Sequence, residues 1–224
     1  DTVMNISIRT EQEQDYRIVE ALTRAAFSYP ERIARGGIGC PYEHWMVHAL
    51  RKRDGILGLS LVAEIGAIGL QDSQNNSGSQ IAGHIICSNA EVQTPDGAIP
   101  VLNFGPLSVL PAYQGQGIGK ALIKHMICKA SNLGYGAILF FGRPEYYPQF
   151  GFKEASTWQI TDANGQQYPA FMGMELIPGY LLHAKGGKFH ESDIYDDARN
   201  RNEVLEFDRK MMHTATSKHL NAEK

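Results

Sequence analysis

The segment from Ile118 to Leu133 carries the clearest periodic pattern in the chain. Apolar residues recur there at three- and four-residue spacing, while lysines fall on the opposite face. Gly134 follows, and glycine commonly ends helices. The pattern predicts an amphipathic helix over 118–133. Its apolar stripe consists of Ile118, Ala121, Leu122, Met126, Ala130 and Leu133.

Apolar runs of strand length flank this helix. The run from Ile99 to Leu110 precedes it, and Ala137 to Phe141 is a continuous apolar stretch, typical of a central strand covered on both faces. A strand, a helix and a second strand in this order form a parallel crossover unit. The pattern therefore predicts a parallel pair of strands within a mixed sheet.

The first quarter of the chain predicts a strand followed by two helices. Apolar alternation near Ile6 indicates the strand, and Thr10 with Glu13 three residues later resembles a capping box that would begin the first helix. The stretch 28–41 is rich in Gly and Pro, which predicts a loop. Apolar spacing over 45–53 then predicts the second helix.

Strand patterns follow from residue 58 onward. Apolar and polar residues alternate over 59–64, a second strand-like run covers 81–88, and the polar stretch 71–80 between them predicts a hairpin connection. A shorter hairpin turn is predicted at 94–97.

Beyond Gly151 the patterns are weaker. They predict a helix over 202–212 within a charged final stretch. They also predict short strands near Phe152 and at Trp158 to Ile160, Phe171 to Leu176 and Tyr180 to Leu182.

Composition narrows the class of protein. The chain has 224 residues, 43% hydrophobic and 20% charged, which suits one domain that buries roughly 70% of its unfolded surface. A net charge of -3 argues against a polycationic nucleic-acid binder or a basic membrane patch. No run reaches the ~20 apolar residues of a spanning helix, and no secretion signal begins the chain. We therefore expect a cytoplasmic protein without a nucleic-acid or membrane partner.

Cysteine and histidine positions do not indicate a metal. Cys40, Cys87 and Cys128 are widely spread and form no zinc signature or disulfide framework. His44 and His48 stand four apart on a predicted helix, but the central Glu of a zincin motif is absent between them. We predict no metal site.

The candidate chemistry lies at the start of the 118–133 helix. The sequence from Gln114 to Lys120, QGQGIGK, puts a glycine-dense turn between a strand and a helix. The first N–H groups of a helix have no internal partner and the macrodipole is positive there, so a pyrophosphate can collect several donors. Glycines remove the Cβ atoms that would keep a phosphate away from the backbone. The turn therefore predicts an anion site.

Spacing separates three phosphate motifs at this turn. A P-loop requires Gly and Ser or Thr where Gln114 and Ala121 stand. A dinucleotide fingerprint that begins at Gly115 requires Gly where Lys120 stands. Both motifs fail, and the pattern that remains is Gln-x-x-Gly-x-Gly, at Gln114, Gly117 and Gly119.

This pattern resembles the GNAT superfamily of acetyl-CoA-dependent N-acetyltransferases. The phrase GPLSVLPAYQ (105–114) is similar to that family's strand and loop, and FFGRPEYYPQFGF (140–152) is similar to a phrase in a bacterial subgroup. DYRIVEALTRAAF and LVAE resemble the family's first half. The resemblance covers about 6–182, with specific motifs between 103 and 152.

The resemblance implies a fold, an activity and a cofactor. The fold would be α/β or α+β, with a mixed, mostly antiparallel central sheet flanked by helices. Acetyl-CoA would acetylate a primary amine of a small molecule or peptide by direct attack in a ternary complex. The residues implied to bind the cofactor are Leu107, Ser108, Val109, Gln114, Gly115, Gln116, Gly117, Ile118, Gly119, Lys120, Phe141, Gly142, Pro144 and Phe150.

The resemblance also suggests how the chain is divided. An acetyltransferase-like domain would cover 4–190, and 191–224 would form a charged, partly helical extension on or near that domain, in a monomer or homodimer. Two other readings stay open: a non-catalytic acyl-CoA sensor, and an interaction domain whose glycine turn binds nothing.

Catalytic candidates follow from the chemistry of acetyl transfer. Tyr147 stands four residues before a Gly-Phe pair, as in the subgroup phrase, and a phenol there would protonate the leaving thiolate, with Tyr146 as the fallback. Backbone N–H groups over 107–110 would polarise the thioester carbonyl. A lysine-like amine near pKa 10.4 needs a base far more than an α-amine near 7.8. The candidate bases are Glu64, Glu43 and His44.

Overall fold

Eight strands form one sheet in the part of the chain that the computed structural model describes, residues 4–31, 37–67 and 78–222. Six of the neighbouring pairs are antiparallel, and β4 and β5 run parallel. The strand order is β1-β2-β3-β4-β5-β7-β6, and β8 pairs with β3. The strands are β1 (Met4–Thr10), β2 (Gly55–Ala67), β3 (Ser79–Thr94), β4 (Gly97–Val109), β5 (Ala137–Phe141), β6 (Lys153–Glu154), β7 (Phe171–Glu175) and β8 (Lys188–His190).

Helices cover both faces of the sheet. Alternate residues of a strand point to opposite faces, so Leu61 of β2 packs with Leu122 on one face, and Val62 packs with Val19 on the other. The fold is therefore the mixed, mostly antiparallel sheet flanked by helices that the resemblance implied. The helices are α1 (Tyr16–Phe27), α2 (Glu43–Lys52), α3 (Ile118–Asn132) and α4 (Asp197–Ala222).

The unit from β4 through α3 to β5 matches the sequence patterns closely. Gly134 follows α3 with φ 86°, a left-handed conformation that suits glycine and ends the helix. The turn between β3 and β4 lies at 95–96, where the hairpin was predicted. Most of the predicted connection at 71–80 lies outside the described residues.

The predicted cap of α1 is wrong. Thr10 is the last residue of β1, and a short 3-10 helix, Glu13–Asp15, precedes α1. Its capping box joins Gln12 and Asp15, because the Gln12 N–H donates to the Asp15 carboxylate at 2.8 Å. Arg9 also donates to Asp15, at 2.6 Å, and these two contacts hold Asp15 where the helix begins.

Two of the short strands predicted after Gly151 do not form. At the first, the 3-10 helix Ala155–Trp158 is followed by Gln159 in the left-handed region at φ 55°, which prevents an extended run over 158–160. Tyr180–Ala184 follows Gly179, and the Tyr180 hydroxyl donates to the Pro100 carbonyl. The stretch at 171–176 does form a strand, and the final helix is longer than predicted.

Candidate active site

A cleft of about 950 Å³ opens where β4 and β5 diverge. Leu102 and Ile138 form the one paired position between β4 and β5 among the described residues. Beyond this pair the two strands are no longer paired. β4 also carries one extra residue opposite β3, because Ile85 and Cys87 pair with Leu107 and Phe104. Such a bulge bends a strand and frees backbone groups from the ladder. Residues 103–109 therefore form one wall of an open groove.

The glycine turn lies at one end of this cleft. Gly115 and Gly117 have φ 77° and 90°, and a Cβ on either would meet nothing within 4 Å. Gly117 is the N-cap of α3 and has no side chain to occupy the first N–H groups of the helix. The first backbone hydrogen bond of the helix runs from the Ala121 N–H to the Gly117 carbonyl at 3.0 Å. The N–H groups of 118–120 precede that bond and are open to an anion.

Side chains fix this turn and add positive charge. The Gln114 amide donates to the Val109 carbonyl at 3.1 Å, which ties the turn to the end of β4. Lys120 and Arg143 both line the cleft. The Arg143 guanidinium lies 4.9 Å from the centre of the Tyr146 ring. The glycine-turn end of the cleft thus combines backbone donors, a helix N-terminus and the cation of Lys120.

Tyr147 lines the cleft from a short 3-10 helix that follows β5. Its ring packs at 4.7 Å from the Phe140 ring and 5.9 Å from the Phe104 ring. Burial, reinforced by Tyr146 and opposed by Arg143, raises the pKa of Tyr147 to about 12. The phenol is therefore protonated throughout the physiological range and can donate a hydrogen bond.

Glu191 is a cleft residue that the sequence did not reveal. It follows β8, and its carboxylate accepts a hydrogen bond of 2.9 Å from the amide of Asn103, a buried residue of β4. Glu191 is exposed in the cleft, but nearby protein atoms limit the hydration of its carboxylate. Burial raises the pKa of Glu191 to about 7, against the opposing effect of Asn103. A carboxylate with this pKa can take up and release a proton near neutral pH.

Glu43 and His44 are adjacent in sequence but have different surroundings. Glu43, in the first turn of α2, lines the cleft, and the Tyr42 N–H donates to its carboxylate at 3.1 Å. His44 is fully buried, and its Nε2 lies 2.9 Å from Asp208. Burial lowers the pKa of His44 despite Asp208, so the ring is neutral at pH 7. His44 does not reach the cleft.

Glu64 lies outside this cleft. It pairs with Arg9, whose Nε is 2.5 Å from its carboxylate, and both residues line a separate cavity beside α1. The strand pattern correctly predicted that Glu64 lies in β2, but β2 is separated from the cleft by β3 and β4.

The structure brings most of the predicted cofactor residues together. Gln116 and Pro144 are exposed without lining the cleft, and Ser108 is buried. Gly142 has a packing role, since a Cβ there would come within 2.6 Å of the Tyr147 ring, and Phe150 packs against Tyr146. The predicted residues that line the cleft are Leu107, Val109, Gln114, Gly115, Gly117, Ile118, Gly119, Lys120 and Phe141.

The two histidines of α2 contact different carboxylates. His48 Nδ1 lies 3.1 Å from Glu20, whereas His44 contacts Asp208. Within the described ranges no group of three or more His, Cys, Asp or Glu is placed to hold a metal ion. In those same ranges, every helix is too short or too polar to cross a membrane.

Comparisons with known proteins agree with this geometry. A family model described as an acetyltransferase (GNAT) domain matches residues 58–154. The uncharacterized N-acetyltransferase YhbS of Escherichia coli K12 is 30% identical over 149 residues, which span 66% of this chain and 74% of that protein. A second protein of that strain, the uncharacterized N-acetyltransferase YjhQ, is 31% identical over 88 residues, 39% of this chain and 45% of that protein.

Solved structures share the fold. YhbS from Escherichia coli, crystallised in complex with CoA, superposes with a TM-score of 0.65 at 23% identity, over 88% of this chain and 94% of that one. A GNAT acetyltransferase from Brucella melitensis in complex with acetyl-CoA gives a TM-score of 0.57 at 24% identity, over 85% and 98%. The sheet that opens between β4 and β5 agrees with this fold. The sequence similarity to YhbS, together with the match to the family model, shows that the chain belongs to the GNAT family of N-acetyltransferases.

Proposed function

We propose that this acetyltransferase moves the acetyl group of acetyl-CoA to a primary aliphatic amine by direct attack in a ternary complex. The observation that carries the proposal is the order of groups along β4. Glu191 contacts Asn103, Phe141 is level with Gly105 by the strand register, and the glycine turn follows Val109. Six residues of strand span roughly 20 Å. An acidic end and a cationic end are therefore separated along one groove.

The cationic end suits the phosphates of CoA. Gly115 and Gly117 leave open space where side chains would stand, and Lys120 adds charge beside the free N–H groups of α3. The crystallised relatives in complex with CoA and acetyl-CoA support this assignment. The pantetheine arm would then lie along 107–109, against backbone groups that β5 does not pair.

Tyr147 acts on the leaving sulfur in this proposal. As the amine nitrogen bonds to the acetyl carbon, the C–S bond breaks and the sulfur leaves as a thiolate. Full proton transfer from a phenol of pKa about 12 to a thiolate of about 8.5 would be uphill by about 5 kcal/mol. Tyr147 therefore stabilises the thiolate by donating a hydrogen bond, and the proton that completes the thiol comes from solvent. This differs from the complete proton donation that the sequence suggested.

In this proposal Glu191 serves as the base, in place of the sequence candidates Glu64, Glu43 and His44. It accepts the proton that the ammonium must lose before its nitrogen can attack, and it passes that proton to solvent. The second proton leaves the nitrogen for solvent once the N–C bond has formed. An aliphatic amine costs about 4.6 kcal/mol to deprotonate at pH 7, and an α-amine only about 1. A cleft that holds a carboxylate with a pKa near 7 therefore suits an aliphatic acceptor.

Calorimetry with acetyl-CoA tests the phosphate end. Gly117→Val and Gly119→Val fill the space beside the first turn of α3, and we expect each to weaken binding by about 100-fold or more. Gly186→Val is the matched control for Gly117, since Gly186 also has a positive φ, 78°, with nothing within 4 Å, but lies outside the cleft. Unchanged affinity in both cleft variants would refute the assignment.

A further inference from the structure

The C-terminal helix α4 is tied to α1 and α2 by one carboxylate. The Arg24 guanidinium donates to both oxygens of Asp208, at 2.6 and 3.3 Å. The same carboxylate lies 2.9 Å from His44 Nε2. We name these three residues, Arg24, His44 and Asp208, the Asp208 latch.

The charge states within the latch are set by its surroundings. Burial opposes ionisation of Asp208, but the hydrogen bond and charge of Arg24, with His44, outweigh it and lower its pKa. His44 is neutral at pH 7, since burial lowers its pKa, so its Nε2–H donates to the carboxylate. The latch is thus an ion pair plus a neutral hydrogen bond, a combination that fixes both helices relative to Asp208.

Apolar contacts accompany the latch. The Phe207 ring lies 5.6 Å from the His44 ring and 4.7 Å from the His48 ring. Val204 is fully buried in one cluster with Met46. We therefore expect α4 to stay attached to the domain when the Arg24–Asp208 ion pair is lost. The contribution of that ion pair can then be tested by itself.

The latch lies directly behind one wall of the cleft. Phe27 follows Arg24 by three residues, on the same side of α1, and Glu43 and Met46 flank His44 on α2. Phe27, Glu43 and Met46 all line the cleft. Asp208 thus connects the end of one helix with the start of the next, and both ends contribute to the cleft.

We infer that Asp208 is a positioning residue that holds the α1 and α2 wall in place for the acceptor amine. The inference rests on the proposed function, in which the phosphates of acetyl-CoA lie at the glycine turn and not against this wall. The described hydrogen bonds of the latch join α1, α2 and α4 and do not reach the glycine turn or β4. We therefore expect its loss to affect the acceptor and to leave cofactor binding unchanged. A displaced wall costs rate, since reacting groups must be held within about 1 Å.

The test compares Asp208→Asn with a matched control on the same helix. Glu206→Gln removes an exposed carboxylate that pairs with Lys210, and it leaves the latch intact. For Asp208→Asn we expect kcat/KM for the acceptor to fall by roughly 10- to 100-fold. We expect the Kd of acetyl-CoA to stay within twofold, Glu206→Gln to behave as the parent, and Asp208→Glu to recover part of the loss. An equal loss for both substrates, or no loss for the acceptor, would overturn the inference.

Hydrogen exchange of the full chain provides a readout that needs no activity. We expect faster exchange over 24–31 and 43–47 in Asp208→Asn, and parent-like exchange in β4. If the parent protein transfers no acetyl group to any amine, the proposed function fails while this measurement still reports on the latch. Parent-like exchange in both helices would disprove the positioning role. Arg24→Lys, which keeps the charge but loses the two-point contact, is the milder variant if Asp208→Asn does not fold.

Discussion

At Glu191 and Tyr147 one physical cause, loss of hydration beside protein in the cleft, raises both pKa values, and the proposed mechanism uses the two shifts differently. The carboxylate is moved to about 7, where it can exchange protons at neutral pH. The phenol is moved to about 12, where it remains a hydrogen-bond donor. The environment of each residue thus supports the role that we propose for it, Glu191 as base and Tyr147 as hydrogen-bond donor.

The base has a testable pH signature. Glu191 must be ionised to accept a proton, so kcat/KM for a lysine-like amine should rise with pH and level off above about 7. We expect Glu191→Gln to abolish this rise and to reduce the plateau rate by about 100-fold or more. For an α-amine acceptor the loss should stay within about tenfold, because that amine needs little help.

Glu145→Gln is the control for this change. Glu145 is exposed in the loop after β5 and does not line the cleft. A parent-like pH profile in Glu191→Gln would remove Glu191 from the mechanism.

Tyr147→Phe should separate turnover from binding. We expect kcat to fall by about 10- to 100-fold with the acetyl-CoA Kd nearly unchanged, because the hydrogen bond forms only as the thiolate develops. With a pKa of about 12, Tyr147 should cause no loss of rate below about pH 11. Tyr146→Phe is the comparison, and a larger effect there would transfer the role to Tyr146.

Candidate residues within the specific motifs were predictable, and the proposed base, Glu191, was not. Tyr147 and the glycines stand in short phrases whose spacing is readable. Glu191 is 88 residues from Asn103, its hydrogen-bond partner, and no local pattern indicates that contact. Glu64 is the opposite case. The alternation of apolar and polar residues correctly placed it in a strand, but it contained no information on how far that strand lies from the cleft.

At the scale of elements, the site depends on how closely α3 approaches the sheet. Gly83 of β3 lies beneath this helix, and a Cβ there would come within 2.8 Å of Ile118 and 2.9 Å of Leu122. The absence of a side chain lets the first turn of α3 lie against the strand beside β4. The close approach of α3 to Gly83 fixes the position of the glycine turn relative to the cleft.

Gly83→Ala should therefore displace α3. We expect a loss of about 1–3 kcal/mol in the free energy of unfolding, measured by denaturant titration, because overpacking forces neighbours to shift. We also expect weaker acetyl-CoA binding. Gly58→Ala, in β2 with nothing within 4 Å, is the control and should leave both quantities near the parent values. Full stability in Gly83→Ala would contradict this packing account.

Elements with strong local signals were predictable from the sequence. The helix at 118–132 and the strand at 137–141 have periodic patterns that local packing enforces. The α1 cap was misassigned because Arg9, on the neighbouring strand, holds Asp15 in the capping position. The 3-10 helix at 180–184 depends on Glu175, which accepts from the Leu181 N–H, and on Pro100 across the sheet. Pro100 is 80 residues from Tyr180, and the two shorter-range contacts are made by side chains, so backbone propensity alone could not predict them.

At the scale of the whole molecule, the C-terminal segment belongs to the site. β8 pairs with β3, which places Glu191 at the cleft, and Tyr195 donates to the Gly105 carbonyl at 2.7 Å. α4 then returns to α1 and α2 through Asp208. The sequence showed only a charged, partly helical stretch here, because its function arises from contacts between distant parts of the chain. We accordingly propose that 191–222 completes the acetyltransferase domain.

The measurement that tests the central claim most directly is acetyl transfer by the parent protein. Acetyl-CoA is supplied with an amine whose pKa is near that of lysine, such as the side chain of an Nα-acetylated lysine amide, and the acetylated product and free CoA are both quantified. We expect one acetylated amine for each CoA released, with initial rates that depend jointly on both substrates and no acetyl group left on the protein. Acetyl-CoA that binds but is never transferred to any amine in a broad panel would contradict the account and favour a sensor.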